Sequence, residues 1–273
     1  MTSHPSTKTN LEKLEGYGNS IIEAEHGELA SGLVGTGRMA EPEHILEVLE
    51  KHFNKKKALT GKRVLITAGP TYEAIDPVRF IGNHSSGKMG FAIAEFMAEQ
   101  GAKVHLVSGP TQLSSTHKNI KTERVTSAEE MYDACVEQFG NADISVLAAA
   151  VADYKPVVAE SQKIKKKTDT LHLDLTKTKD IAAELGQRKK NGQMIVGFAL
   201  ETENEQANAL KKIKSKNFDM IVLNSLKDEG AGFGHDTNKI SIIDKQNNIH
   251  QFGLKSKREV AQDIVNSILH ALD

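Results

Sequence analysis

One cysteine, Cys135, stands in 273 residues. That scarcity excludes an intramolecular disulfide framework and a CxxC metal site, and it fits a reducing cytosol. Charge of one sign is missing too: 35 basic residues meet 36 acidic ones, so nothing calls for a nucleic-acid or anionic-membrane partner. Long apolar runs are absent. The longest, Val146 to Ala152, falls far short of the roughly 20 residues a membrane-spanning helix needs. Met1 to Asn10 is polar and lacks the apolar core of a signal peptide. These absences point to a soluble, cytoplasmic, globular protein, long enough for one large α/β domain or a domain with an appendage.

What is present divides at about residue 53. Residues 1–53 read as loop-rich with one helix, Glu41 to Phe53, in which Ile45, Leu49 and Phe53 share a face. Residues 54–60 read as a basic linker, and 61–273 as the main domain. There the strands Val64–Ala68, Val104–Val107 and Ile144–Ala149 alternate with helices at Phe91–Gln100 and after Ser127, whose Glu130 three residues on marks a capping box. Further strands are expected near Leu171–Leu175, Met194–Ala199 and Met220–Leu223, with helices near Asp180–Arg188 and Glu205–Lys216. A hairpin of Lys239–Ile243 with Ile249–Phe252 precedes a helix marked by Val260, Ile264 and Ile268. The alternation predicts an α/β fold: a doubly wound, mostly parallel, Rossmann-like sheet with helices on both faces.

In such sheets ligands collect at the carboxyl ends of strands. The loop after the first strand runs from Gly69 through Arg79 and Asn83 to Ser85-Ser86-Gly87, far longer than a connection requires. Its serines and glycines open a helix and suit an anion. Gly82 to Lys88 has P-loop spacing, but Met89 stands where magnesium needs Ser or Thr, and the P-loop reading is rejected. The dinucleotide fingerprint G-x-G-x-x-G is missing after the first strand. Leu147-Ala148-Ala149-Ala150 ends another strand in small residues, with Asp153 placed to hold a ribose, a base edge or a metal; a buried strand with a capping Asp is the equal alternative. Lys163 to Lys167 contains four lysines that either form a solvated loop or neutralise phosphates. Phe198 either packs in the core or stacks on a base, and Lys212 and Lys216 share a helix face. Cys135, on an apolar helix face, reads as an inert core thiol. The histidines show no metal-ligand spacing.

In order along the chain, ITAGPTYEAIDPVRFIGNHSSGKMGFAIA, LVSGPT, AAAVADY, KIKKK, VGFALETE and GFGHDTNKI resemble the synthetase domain of the bacterial bifunctional coenzyme A biosynthesis flavoprotein. The resemblance implies a phosphopantothenate–cysteine ligase using CTP through an acyl-cytidylate, with magnesium, and a homodimer. It implies catalytic roles for Asn83, Arg79 and the lid residue Lys163, and substrate-phosphate binding by Ser85, Ser86 and Gly87. Nucleotide contacts would come from Leu147, Ala148, Ala149, Ala150, Asp153, Lys163, Lys179, Asp180, Ile181, Ala182, Phe198, Lys212 and Lys216. Thr178 and Lys179 depart from the usual Asn-Pro before Asp180. The magnesium ligands stay unassigned. Residues 1–53 resemble the end of the flavin-dependent decarboxylase partner domain, with Ser31 where that family commonly has a reactive cysteine. Without the flavin-binding front, neither FMN nor decarboxylation is expected. A nicotinamide-dependent reductase and a non-catalytic nucleotide-binding module are the competing readings.

Overall fold

Apolar runs buried on both faces become the strands of the central sheet in the computed structural model, which describes residues 4–17, 19–28, 32–53, 57–165, 170–201, 204–225 and 235–272. The sheet's strands are β1 (Arg63–Ala68), β2 (Lys103–Ser108), β3 (Ile120–Arg124), β4 (Ile144–Leu147), β5 (Met194–Glu201), β6 (Met220–Ser225), β7 (Ile240–Asp244) and β8 (Ile249–Gln251). They lie in the order β8-β7-β6-β5-β4-β1-β2-β3. Strands β1 to β6 pair in parallel; β7 and β8 add an antiparallel edge.

Among the described residues, five helices flank the sheet: α1 (Lys88–Glu99), α2 (Ala128–Phe139), α3 (Ile181–Arg188), α4 (Glu205–Ser215) and α5 (Lys257–Leu272). One core joins Phe91, Ile93 and Met97 of α1 and Val260, Ile264 and Ile268 of α5 to Val64, Ile66, Val104, Leu106 and Val146. The opposite core joins Met131, Cys135 and Phe139 of α2, Leu185 of α3 and Ile213 of α4 to Leu65, Val107, Ile195 and Ile221. Alternate strand residues thus feed alternate cores, as the pleat requires. The doubly wound expectation holds. Cys135 is fully buried, and burial pushes its thiol up to about 12. Ser127 and Glu130 close the expected capping box.

Several boundaries move. Helix α1 starts at Lys88, three residues before the expected Phe91, because Gly87 adopts a left-handed φ of 79° at its N-cap and ends the loop there. The strand expected to run to Ala149 ends at Leu147, and the alanines beyond it leave the ladder. The strand expected near Leu171–Leu175 forms instead at Leu175–Lys177, where Tyr154–Pro156 supplies a partner. β3 and the ribbon of Tyr72–Ala74 with Phe80–Gly82 were not foreseen; polar residues interrupt the first, and the second is only three residues a side. Leu59, within the expected linker, is fully buried in the first core.

The chain divides into two compact units, residues 1–56 and 57–273. The first contains helix Pro5–Gly16, where the sequence read as loop, a hairpin of Glu25–Glu28 with Val34–Arg38, and helix Pro42–Phe53. The unforeseen helix has Pro5 at its start, with the His4 side chain accepting from the Ser6 N–H, a start signal that carries no apolar periodicity. Ser31, with Leu29 and Ala30, lies outside the described residues. No helix among the described residues is long and apolar enough to cross a membrane.

Candidate active site

Strands β1 and β4 are neighbours whose following helices, α1 and α3, lie on opposite faces of the sheet. Their chains diverge at the carboxyl edge and leave a crevice, the position where open α/β sheets take ligands. A cavity of about 740 Å³ occupies it. That is ample for a nucleotide-sized ligand.

The inner wall is the loop after β1 laced to the strip after β4. The Ala149 N–H donates to Thr67 Oγ1 at 3.1 Å, and the Ala152 N–H to Thr71 Oγ1 at 2.9 Å. The Ala150 N–H donates to the Gly69 carbonyl at 2.9 Å. Asn83 Nδ2 donates to the carbonyls of Ala150, at 3.0 Å, and Val151, at 3.2 Å. Thr178 Oγ1 closes the strip from the far side with a 2.6 Å bond to the Ala152 carbonyl. The small residues at 148–150 leave this hydrogen-bonded backbone accessible to a ligand. Below it, a Cβ on Gly90 would lie 2.6 Å from the Ala68 Cβ, so glycine there lets α1 seat directly on β1.

The cavity gathers Asn83, Ser85, Ser86, Gly87, Leu147, Ala148, Ala149, Ala150, Asp153, Lys179, Asp180, Ile181, Ala182, Phe198, Lys212 and Lys216. Asp180 caps α3 by accepting from the Ala183 N–H at 3.0 Å, and Lys216 Nζ lies 3.0 Å from its other oxygen. Burial pushes the Asp180 carboxyl upward, but the backbone donors and Lys216 outweigh it and hold the group below its ordinary range. Lys179 pairs with Glu129 at 3.1 Å and lies over the Tyr132 ring, 4.8 Å from its centroid. The Glu129 carboxylate holds the Lys179 ammonium above its usual value. No partner for the Asp153 carboxylate occurs among the described residues. Among those residues, no group of three or more His, Cys, Asp or Glu could hold a metal.

Two expected residues are not brought in. Arg79 and Lys163 do not line the cavity. Arg79 Nε donates to Asp76 at 2.9 Å, and its Nη2 donates to the Ile164 carbonyl at 3.0 Å. Asp76 also accepts from the N–H groups of Val78, Arg79 and Ile164 at 2.8, 2.9 and 3.1 Å. The Arg79 hydrogen bonds hold the fully covered Asp76 carboxyl far below the usual carboxylate range, against the opposing effect of burial. Lys163 is exposed, one residue before this clasp; Lys166 and Lys167 of the same run lie outside the described residues, as do Thr202 and Glu203. Conversely, Lys88, Asn224, Asn238 and Lys257 line the cavity without having been assigned a role. Asn238 sits within GFGHDTNKI, which pointed to that region. Lys257 opens α5, a helix recognised by its apolar residues alone.

A family model described as the DNA/pantothenate metabolism flavoprotein C-terminal domain matches residues 59–272. A protein named cysteine/cysteine sulfinic acid decarboxylase, from an unknown prokaryotic organism, is 56% identical over 98% of this chain and 76% of its own length. The coenzyme A biosynthesis bifunctional protein CoaBC of Bacillus subtilis is 44% identical over 98% of this chain, and that of Haemophilus influenzae 45% over 96%. This chain spans 66% and 65% of those two proteins. The crystal structure of the C-terminal domain of a CoaBC protein superposes with a TM-score of 0.66 at 42% identity, covering 79% of this chain and 98% of that one. The DNA/pantothenate metabolism flavoprotein of Streptococcus pneumoniae shares the fold, with a TM-score of 0.68 at 23% identity over 77% of this chain and all of that one.

Proposed function

The chain belongs to the DNA/pantothenate metabolism flavoprotein C-terminal domain family, and from that premise we propose that it is a phosphopantothenate–cysteine ligase of coenzyme A biosynthesis. The observation that carries the proposal is the cavity lining. Asn83, the Ser85–Gly87 loop, the β4 strip and the Lys179–Ala182 segment come from separate stretches of sequence and meet at one switch point.

In the proposed reaction the carboxylate of 4′-phosphopantothenate attacks the α-phosphorus of CTP, forming an acyl-cytidylate and releasing pyrophosphate. The amine of L-cysteine then attacks the acyl carbon, CMP leaves, and the amine loses a proton. Ser85, Ser86 and Gly87 hold the substrate phosphate. Asn83 acts by fixing the β4 strip, since its Nδ2 is bonded to Ala150 and Val151, and it offers Oδ1 to the reacting groups. The strip, Asp153 and Phe198 receive the nucleotide. Lys163 approaches the triphosphate from its loop. Magnesium fits this donor set as an ion carried mainly by triphosphate oxygens and waters, with Asp153 the lining carboxylate free to meet it. When bound, it offsets triphosphate charge.

A homodimer belongs to the same proposal. Exposed Val78 and Phe80 in one ribbon's loop and strand, and Val157 and Val158 after the other ribbon's first strand, support a surface for a second copy. Sedimentation of a charged Val158 variant tests it. The partners are thus 4′-phosphopantothenate, L-cysteine, CTP and a second copy, with no nucleic acid or membrane. The first unit resembles the end of a decarboxylase domain, and the deciding assay for activity is pyrophosphate release with phosphopantothenate, cysteine and each nucleotide. CTP supports far faster release than ATP if the reading holds; equal kcat/KM for the two sinks its nucleotide assignment. The 56% relative's name favours a second reading, decarboxylation. Release of CO₂ from cysteine or cysteine sulfinate by the purified chain would establish that one.

A further inference from the structure

The amino edge of the sheet, opposite the active site, carries a second hollow. It has a volume of about 470 Å³ and lies where β1, β2 and β3 begin and α2 ends. Arg63, Lys103, Lys118 and Lys121 line it, and no aspartate or glutamate does. In a chain with 35 basic and 36 acidic residues, four cations around one concavity make a local positive field.

Strand register gathers them. Arg63 of β1 stands directly beside Lys103 of β2. Lys121 of β3 stands beside His105, two residues along β2 from Lys103. The pleat puts all four on the face that presents Leu65 and Val107 to the α2 core. Like charges on adjacent strand positions repel, so this row costs stability while it lacks a counter-charge. The carboxylates beside it are committed elsewhere. Asp143 accepts the Arg63 N–H at 2.7 Å, and Glu123 pairs with His105 Nε2 at 2.7 Å; neither lines the hollow. Among the described residues, no ion pair engages Arg63, Lys103, Lys118 or Lys121. The end of α2 does not oppose an anion either. Its Gln138 and Phe139 carbonyls accept the N–H groups of Asn141 and Ala142 at 3.2 and 3.1 Å. Asn119, Gln138 and Asn141 bring side-chain amides that can donate to an anion's oxygens.

We propose that this hollow is a second binding site, which takes an oligophosphate, free or carried by a nucleoside. Neighbouring strands about 4.8 Å apart spread the cations in a row, and a chain of phosphates spreads its negative charge likewise. Arginine offers phosphate oxygens a planar fork, and lysines offer mobile point charges. The site is separate from the active site: the five residue steps from Arg63 to Ala68 along β1 span about 17 Å. It does not depend on the ligase reading.

Titration of the full chain with tripolyphosphate, followed by calorimetry and by NMR of the backbone amides, tests it. Shifts are expected at residues 103–105 and 118–121, distinct from any at 85–87. A chain carrying both Lys103→Gln and Lys121→Gln should bind tripolyphosphate at those amides about tenfold more weakly or worse, since two charge-assisted contacts are lost. Its melting temperature should equal or exceed the parent's, because like-charge repulsion is relieved. Lys118→Gln, in the loop before β3, repeats the test away from the strands and should weaken binding about threefold. Lys190→Gln removes a cation at the same edge but outside this hollow, and should change binding less than about twofold. CTP as tight as tripolyphosphate at those amides assigns the site to the phosphate chain; tighter CTP adds the nucleoside, and weaker CTP restricts the site to free chains. Citrate acting as strongly as tripolyphosphate overturns the phosphate assignment. Shifts confined to residues 85–87, or a loss in Lys190→Gln equal to that in the double variant, overturn the site itself. No turnover enters these measurements, so a failed ligase assay leaves their outcome unaltered.

Discussion

The inner wall of the cavity and the outer lysine segment are held in opposite ways. The wall, made of the loop after β1 and the strip after β4, is laced by backbone and side-chain bonds from Thr67, Thr71, Asn83 and Thr178. Among the described residues of the outer stretch 157–177, the ties are few and separate. Its Leu175–Lys177 strand pairs with Tyr154–Pro156, and Asp76 and Arg79 grip Ile164. Between those ties Lys163 is exposed and outside the cavity. Preorganised donors suit a wall that fixes where reacting atoms sit; a cation needed only as charge develops can arrive from a tethered loop.

The sharpest test of that contrast is Lys163→Gln. If Lys163 meets the triphosphate mainly as pyrophosphate leaves, kcat for acyl-cytidylate formation drops by about a hundredfold, roughly 3 kcal/mol, while CTP affinity falls much less. Lys165→Gln, two residues away, is the control. Equal losses in both would make the segment a diffuse basic surface.

Asn83→Asp comes next. A carboxylate there would face the carbonyls of Ala150 and Val151, losing two donated bonds and adding repulsion to the wall. A stability loss of about 1–3 kcal/mol is expected in thermal melts. Rapid-quench measurements should show both half-reactions slowed together, because the wall serves both. Accumulation of acyl-cytidylate would instead give Asn83 a role confined to the attack by cysteine.

Asp76→Asn breaks the grip on the outer segment while sparing the wall. Trypsin should then cut after Lys163 and Lys165 several-fold faster, on the order of the opening free energy lost with a charge-assisted hydrogen bond. The effect has a pH signature. A carboxyl depressed on folding stabilises fully above its unfolded pKa of about 4 and loses that contribution as pH falls toward its lower folded value. The melting difference between parent and Asp76→Asn should be constant above about pH 4 and shrink below it.

The smallest effect belongs to Lys179→Gln. Its ion pair with Glu129 is half exposed, so KM for CTP should rise by no more than about threefold. A larger rise would move this rim residue into the ligand-holding wall.

The parts of this contrast legible in sequence were those with a periodic or compositional mark. β1, β2, β4, β5 and β6 stood out because burial on both faces demands unbroken apolar runs. The Ser127 cap stood out because its chemistry is local. The short ribbons were missed because three residues a side carry no period. The Asp76–Arg79–Ile164 clasp was invisible because it joins positions 85 residues apart through a backbone carbonyl, and no residue type betrays such a partner. Lys257 was hidden by its place at the head of an amphipathic helix, where a lysine ordinarily means solvent.

The sheet's two margins bear on how copies of the chain can meet. One margin, β8, is three residues long, and the other, β3, carries Lys121, Glu123 and Arg124. Short and charged edges resist the addition of a foreign strand. A continuous intermolecular sheet therefore finds no template at either end. The described edges of the sheet thus disfavour open-ended growth by strand addition.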